Sequence, residues 1–99
     1  MTKAQAPAER DVHPGDRIAN GRYAVDETLG EGAFGRVFRG RDLRVHERPV
    51  AIKHLKRDGQ RNREVRERFL QEAAILARLD HPNVIGIHDI DEESYCIVL

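Results

Sequence analysis

The sequence predicts an α+β fold of five strands and one packed helix. Three observations lead there. Residues 50–55 alternate at period two, with Val50, Ile52 and His54 on one side and Ala51, Lys53 and Leu55 on the other. Two further strand-like segments flank a turn of three glycines, Gly30, Gly32 and Gly35. Residues 63–79 carry apolar side chains at helical spacing, with Val65, Phe69, Leu76 and Leu79 on one stripe.

Taken in order, residues 1–20 are polar, contain Pro7, Pro14 and Gly15, and show neither period, which predicts a flexible leader. Order is expected from Gly21 and Arg22 onward. Tyr23, Val25 and Leu29 share one face of the first strand, with Glu27 its polar exception. Val37-Phe38-Arg39 is the return strand, ending at Gly40, and a charged connection runs to Pro49. After the strand over 50–55, residues 56–63 read as a basic, solvated loop with an Asp58-Gly59 turn. The helix ends at Asp80-His81-Pro82-Asn83, because proline cannot continue it. Residues 84–88 and 95–99 complete the strands, joined by a solvated Asp91-Glu92-Glu93 turn.

Glu72 falls within the apolar stripe of the helix. A carboxylate facing a core needs a cation, since burying it unpaired is costly. Arg68, one turn earlier, is a local candidate. Lys53, from the neighbouring strand, is a long-range one.

Composition narrows the function. Lysine plus arginine equals aspartate plus glutamate, 17 each, so no net charge points to nucleic acid or to a membrane surface. No secretory signal is seen at residues 1–20, and no apolar run approaches the roughly 20 residues of a membrane helix. The lone Cys96 permits no internal disulfide and is expected to be a small core residue in a cytoplasmic protein. The five histidines show no metal-ligand spacing, so no metal site is predicted among these residues.

The glycine turn has the form G-x-G-x-x-G-x-V, in Leu29-Gly30-Glu31-Gly32-Ala33-Phe34-Gly35-Arg36-Val37. Without Cβ atoms, such a turn can lie flat while its N–H groups approach a bulky anion. A dinucleotide-binding turn would be followed by a helix and by an acid about 20 positions on; here a strand follows. A Walker A loop would place Lys and then Ser or Thr after Gly35, where Arg36 and Val37 stand.

Four stretches in this order and spacing resemble the amino-terminal lobe of eukaryotic-type protein kinases: the glycine turn, Val50-Ala51-Ile52-Lys53, Phe69-Leu70-Gln71-Glu72-Ala73 and His81-Pro82-Asn83-Val84. The lead-in Asn20-Gly21-Arg22-Tyr23 resembles that of bacterial members with serine/threonine specificity. The resemblance covers residues 21–99 and implies an antiparallel, twisted five-stranded sheet with one helix. It implies that the segment from Gly30 to Gly35, with Glu31, Ala33, Phe34 and Arg36 between and beside the glycines, covers the phosphates of ATP. It further implies that Lys53 holds the α- and β-phosphates and pairs with Glu72. Leu29, Val37, Ala51 and Leu99 would bound the adenine.

The reaction so implied moves the γ-phosphoryl group of Mg-ATP to a protein hydroxyl. The H-R-D-x-x-x-x-N and D-F-G motifs that orient the hydroxyl and hold magnesium do not occur in these 99 residues. The chain therefore reads as a C-terminally truncated kinase, inactive by itself. The alternative reading is a non-catalytic, pseudokinase-like nucleotide-binding or interaction module, and a third is a poorly folded fragment.

Overall fold

A computed structural model describes residues 11–78 and 87–99. Among them the order is β1 (Arg17–Ile18), β2 (Tyr23–Glu31), β3 (Gly35–Asp42), β4 (Arg48–Leu55), α1 (Arg57–Arg61), α2 (Arg63–Arg78), β5 (Asp89–Asp91) and β6 (Cys96–Val98). The six strands form one sheet in the order β1-β2-β3-β4-β6-β5. Every neighbouring pair is antiparallel.

The α+β class stands, but the expected five strands and one helix become six strands and two helices among the described residues. The additional strand, β1, lies in the stretch expected to be a flexible leader. Residues 11–20 are packed rather than loose: Val12 and Ile18 are fully buried in a core with Tyr23, Val25, Phe38, Ile52 and Val98. Two apolar side chains six positions apart carry no period, so the docking is invisible until the sheet offers them a place. The additional helix, α1, occupies the expected basic loop. The motif His81-Pro82-Asn83-Val84 and most of the expected strand over 84–88 lie outside the described residues; the strand described nearby, β5, begins at Asp89, after the expected one.

β4 follows its alternation. Val50, Ile52 and His54 are buried on one face of the sheet, and Leu55 joins Phe69, Ala73 and Ile97 in a second core on the other. Gly40 lies within β3 rather than at its end. A Cβ there would come 2.7 Å from Ile52 Cδ1 and closer still to the carbonyl oxygen of Ala24. The missing side chain lets β2 and β4 close upon β3.

Asn62 starts α2. Its Oδ1 accepts the backbone N–H groups of Glu64 and Val65 at 3.1 and 3.2 Å, satisfying donors that have no partner within the helix. Phe69 and Ala73 face the sheet, with Val65 and Leu70 packed beside them.

The two ends of the sheet are tied by side chains. The backbone N–H of Ala19 donates to Asp91 Oδ2 at 3.0 Å, and Ser94 Oγ donates to the same oxygen at 2.6 Å. Tyr23 Oη donates to Asp89 Oδ2 at 2.8 Å. Nearby, Arg22 grips the buried carboxylate of Asp42 through Nε and Nη2 at 3.1 and 2.9 Å. That grip, with His88 and the Arg44 N–H, holds the Asp42 carboxyl well below the usual carboxylate range despite its burial.

Candidate functional site

The register of the sheet assembles the site. Gly30 pairs with Val37, Val37 with Lys53, and Lys53 with Ile97, so one row runs across four strands. Lys53 therefore stands beside Val37 and one strand further from the glycine turn. The turn closes through the Gly32 N–H and the Gly35 carbonyl at 2.8 Å. A bulge between Thr28 and Gly30 lifts Leu29 out of register, and its side chain is exposed.

Two cavities meet at Lys53. One, of about 300 Å³, is lined by Gly30, Glu31, Gly32, Gly35, Arg36, Val37 and Lys53. The other, of about 280 Å³, lies between β4 and α2, and its walls include Phe34, Gly35, Lys53, Phe69, Arg68 and Glu72. The positions a Cβ would take on Gly30 and Gly32 have no atom within 4 Å. Neither glycine is demanded by close packing among the described residues, and the backbone there is open to an approaching anion.

Ala51 and Leu99 exchange both backbone hydrogen bonds, at 3.1 and 2.8 Å. By the alternation of β4, Ala51 shares a face with Lys53. Ala33 is exposed at the tip of the turn and lines neither cavity.

The structure differs from expectation at Glu72. Its side chain is exposed rather than buried in an apolar stripe, and no ion pair joins it to Lys53 or to Arg68 among the described residues. The physical reason is the phase of α2. At 100° per residue, the face set by Val65, Phe69, Leu70 and Ala73 is centred about 80° away from Glu72. Leu76 and Leu79, which drew the expected stripe toward Glu72, lie outside the described side chains. Lys53 is likewise exposed, and it and Glu72 both line the same cavity.

Glu31 turns the other way. Its carboxylate takes Lys56 Nζ at 3.2 Å and lies 3.5 Å from Arg36 Nε. The Lys56 hydrogen bond and the Arg36 charge hold its carboxyl below the ordinary value. This pins the glycine turn to the junction of β4 and α1, as does the hydrogen bond from the Lys56 N–H to the Phe34 carbonyl at 2.7 Å.

Gly59, expected only as part of a turn, is a packing position. A Cβ there would sit 2.7 Å from Leu55 Cδ1 and 3.2 Å from both Phe34 Cβ and Val65 Cγ1. Its bare backbone lets α1 pack beneath the tip of the turn. His54 is another hidden support: its Nε2 accepts the Val12 N–H at 3.2 Å, so the proton sits on Nδ1, near Cys96 Sγ at 3.6 Å. Burial pushes this imidazole down to about 4 and the Cys96 thiol up to about 12.

No group of three or more His, Cys, Asp or Glu among the described residues is arranged to hold a metal ion. No described helix is long and apolar enough to cross a membrane.

Comparison with known proteins places this geometry in a family. The family model for protein tyrosine and serine/threonine kinases matches residues 23–99. The serine/threonine-protein kinase PrkC of Bacillus subtilis is 39% identical over 87 residues, covering 86% of this chain and 13% of PrkC. PksC of Streptomyces coelicolor, also a serine/threonine-protein kinase, is 38% identical over 82 residues, which is 83% of this chain and 15% of PksC. A probable serine/threonine-protein kinase PknB of Lactococcus lactis is 36% identical over 76 residues, 77% of this chain and 12% of PknB. The chain thus spans less than a sixth of the length of each of these relatives. With the matched region running from the first residue of β2 through the end of β6, the chain belongs to the protein tyrosine and serine/threonine kinase family.

Proposed function

We infer that the chain is the ATP-binding portion of a serine/threonine protein kinase. The glycine turn covers the phosphates, Lys53 meets the α- and β-phosphate oxygens, and Leu29, Val37, Ala51 and Leu99 bound the adenine. The γ-phosphoryl group passes to a protein hydroxyl in the protein that carries the remaining catalytic groups. The observation that carries this reading is the place of Lys53, which lines both the cavity under the glycine turn and the cavity facing Glu72. An ammonium there meets an anion entering from the turn, while the open backbone at Gly30 and Gly32 leaves room for phosphate oxygens.

Magnesium arrives with ATP and neutralises developing charge on the phosphates. Its protein ligands belong to motifs that these 99 residues do not contain, so this chain alone binds nucleotide without transferring phosphate. The cytoplasm, which supplies ATP and keeps a lone thiol such as Cys96 reduced, is the setting this function expects.

Calorimetric titration of the chain with a non-hydrolysable ATP analogue tests the reading. Binding is expected in the millimolar range or tighter, and Lys53→Ala is expected to weaken it by about tenfold, the worth of one charge-assisted contact. Equal affinity in Lys53→Ala and wild type would remove Lys53 from the site.

The exposed position of Glu72, without an ion pair among the described residues, favours a second reading, a non-catalytic nucleotide-binding module. Transfer of labelled γ-phosphate to protein by the protein purified from its native cells, lost in Lys53→Ala, decides for the kinase. Nucleotide binding with no transfer decides for the module.

A further inference from the structure

A third cavity, of about 300 Å³, is walled by Arg36, Lys56, Arg57, Arg61, Asp11 and Asp58. As sequence, residues 56–63 look like an ordinary solvated basic run. Folding does more with them. It draws cations from β3, from the β4–α1 junction and from α1 around one concavity, four against two carboxylates. Gathering like charges is unfavourable unless an anion lies between them.

Glu31, outside the cavity wall, pairs with Lys56 and Arg36, and the two carboxylates on the wall leave the other two cations without an ion pair among the described residues. Asp11 accepts the Arg57 backbone N–H at 2.7 Å, not its guanidinium. Burial opposes ionisation of Asp11, but that hydrogen bond and the charges of Arg36, His54 and His13 outweigh it, so its carboxyl stays below the ordinary value. Arg57 and Arg61 are exposed and form no ion pair among the described residues. Arg36 Nε is the one buried side-chain nitrogen or oxygen among the described residues without a hydrogen bond. Its Nη1 reaches the Val12 carbonyl at 3.3 Å.

We propose that this cavity binds a phosphate dianion, free or carried as a monoester. Two exposed guanidinium groups offer paired N–H donors suited to phosphate oxygens, and Lys56 adds a point charge. Arg36, whose Nε makes no hydrogen bond and only a 3.5 Å ion pair with Glu31, adds a further guanidinium to the wall. The ligand also competes with Glu31, whose carboxylate now occupies Lys56 and lies beside Arg36. Filling the cavity therefore removes one of the two ties between the glycine turn and the β4–α1 junction, leaving the Lys56 N–H to Phe34 carbonyl hydrogen bond. Arg36 also lines the cavity under that turn, so the two sites share a residue. This coupling, unlike the binding itself, rests on the ATP-site reading, and it must act equally in both directions.

Nitrogen-15 amide titrations of the 99-residue chain with inorganic phosphate, at constant ionic strength set by chloride, test the proposal. Saturable shifts are expected at residues 56–61, and none with chloride alone. Arg57→Gln with Arg61→Gln should weaken phosphate by about tenfold, as expected for losing charge-assisted contacts. Glu31→Gln should tighten it by removing the competitor, and Lys53→Ala should leave it unchanged even where ATP-analogue binding is lost. N-acetyl-phosphoserine amide as a second ligand identifies the source. Tighter binding than inorganic phosphate points to a phosphorylated side chain, and weaker binding to free phosphate. Shifts that chloride reproduces, wild-type affinity in the double arginine variant, or shifts confined to residues 30–35 and lost in Lys53→Ala would overturn the site.

Discussion

Three glycines in and between β2 and β3 carry the same missing methyl for different reasons. At Gly40 the space is taken by the Ala24 carbonyl and Ile52 Cδ1, so Gly40→Ala forces strands apart. Urea unfolding should record a loss of about 1–3 kcal/mol, the usual cost of overpacking. At Gly30 and Gly32 the same substitution meets open space and should change stability little. Its effect should fall instead on ATP-analogue affinity, because a Cβ would stand where phosphate oxygens approach. Sequence alone showed the Gly30, Gly32 and Gly35 pattern clearly, since its spacing is local. The need for Gly40 and Gly59 was hidden, because it arises from the neighbouring strands at Ala24 and Ile52 in one case and from the turn tip at Phe34 in the other. Glu72 was misplaced for a related reason. Ala73, too small to advertise a core position, sets the buried face together with Phe69.

At the scale of elements, the regular pieces were legible and the irregular ones were not. The alternation of β4 put Val50, Ile52 and His54 on one face, and the structure buries all three. The helix over 63–79 was found to within a residue of α2, although Asn62 was not singled out as its cap. Asn62→Ala should cost about 1 kcal/mol of stability in denaturant titrations, by freeing the Glu64 and Val65 N–H groups. The segment from residue 11 to β1 escaped notice because it has no repeat to read. It is nonetheless part of the core through Val12. Val12→Ala should lower stability by about 2 kcal/mol, from two buried methyl groups and the space they leave. The same segment bonds His54 through the Val12 N–H, supplies Asp11 to the wall of the basic cavity, and offers the Val12 carbonyl to Arg36 Nη1.

At the scale of the molecule, burial of titratable groups makes the fold acid-sensitive. Neutral His54 titrates at about 4 in the folded chain, against an ordinary value of 6.5, because burial disfavours its charged form. Between those values the unfolded chain holds a proton that the folded chain refuses, so stability falls as pH drops from 6.5 to 4. The expected loss is roughly 3 kcal/mol, from 1.36 kcal/mol per unit. His54→Gln should flatten unfolding free energies across that window. Asp42 acts lower: its carboxyl is depressed, so its stabilisation is present above the ordinary carboxylate value and fades as acid protonates it.

The hydrogen bonds that Asp91 receives from Ala19 and Ser94 reach beyond the single molecule. A sheet in which β1 and β5 are outermost exposes two rows of backbone groups that could template another chain. Here the outer strands are only two and three residues long, and Asp91 draws the turn after β1 toward β5. Cutting that stitch with Asp91→Ala should leave both borders free to recruit neighbours. Light scattering of concentrated protein should then show self-assembly in the variant at concentrations where the parent chain stays monomeric.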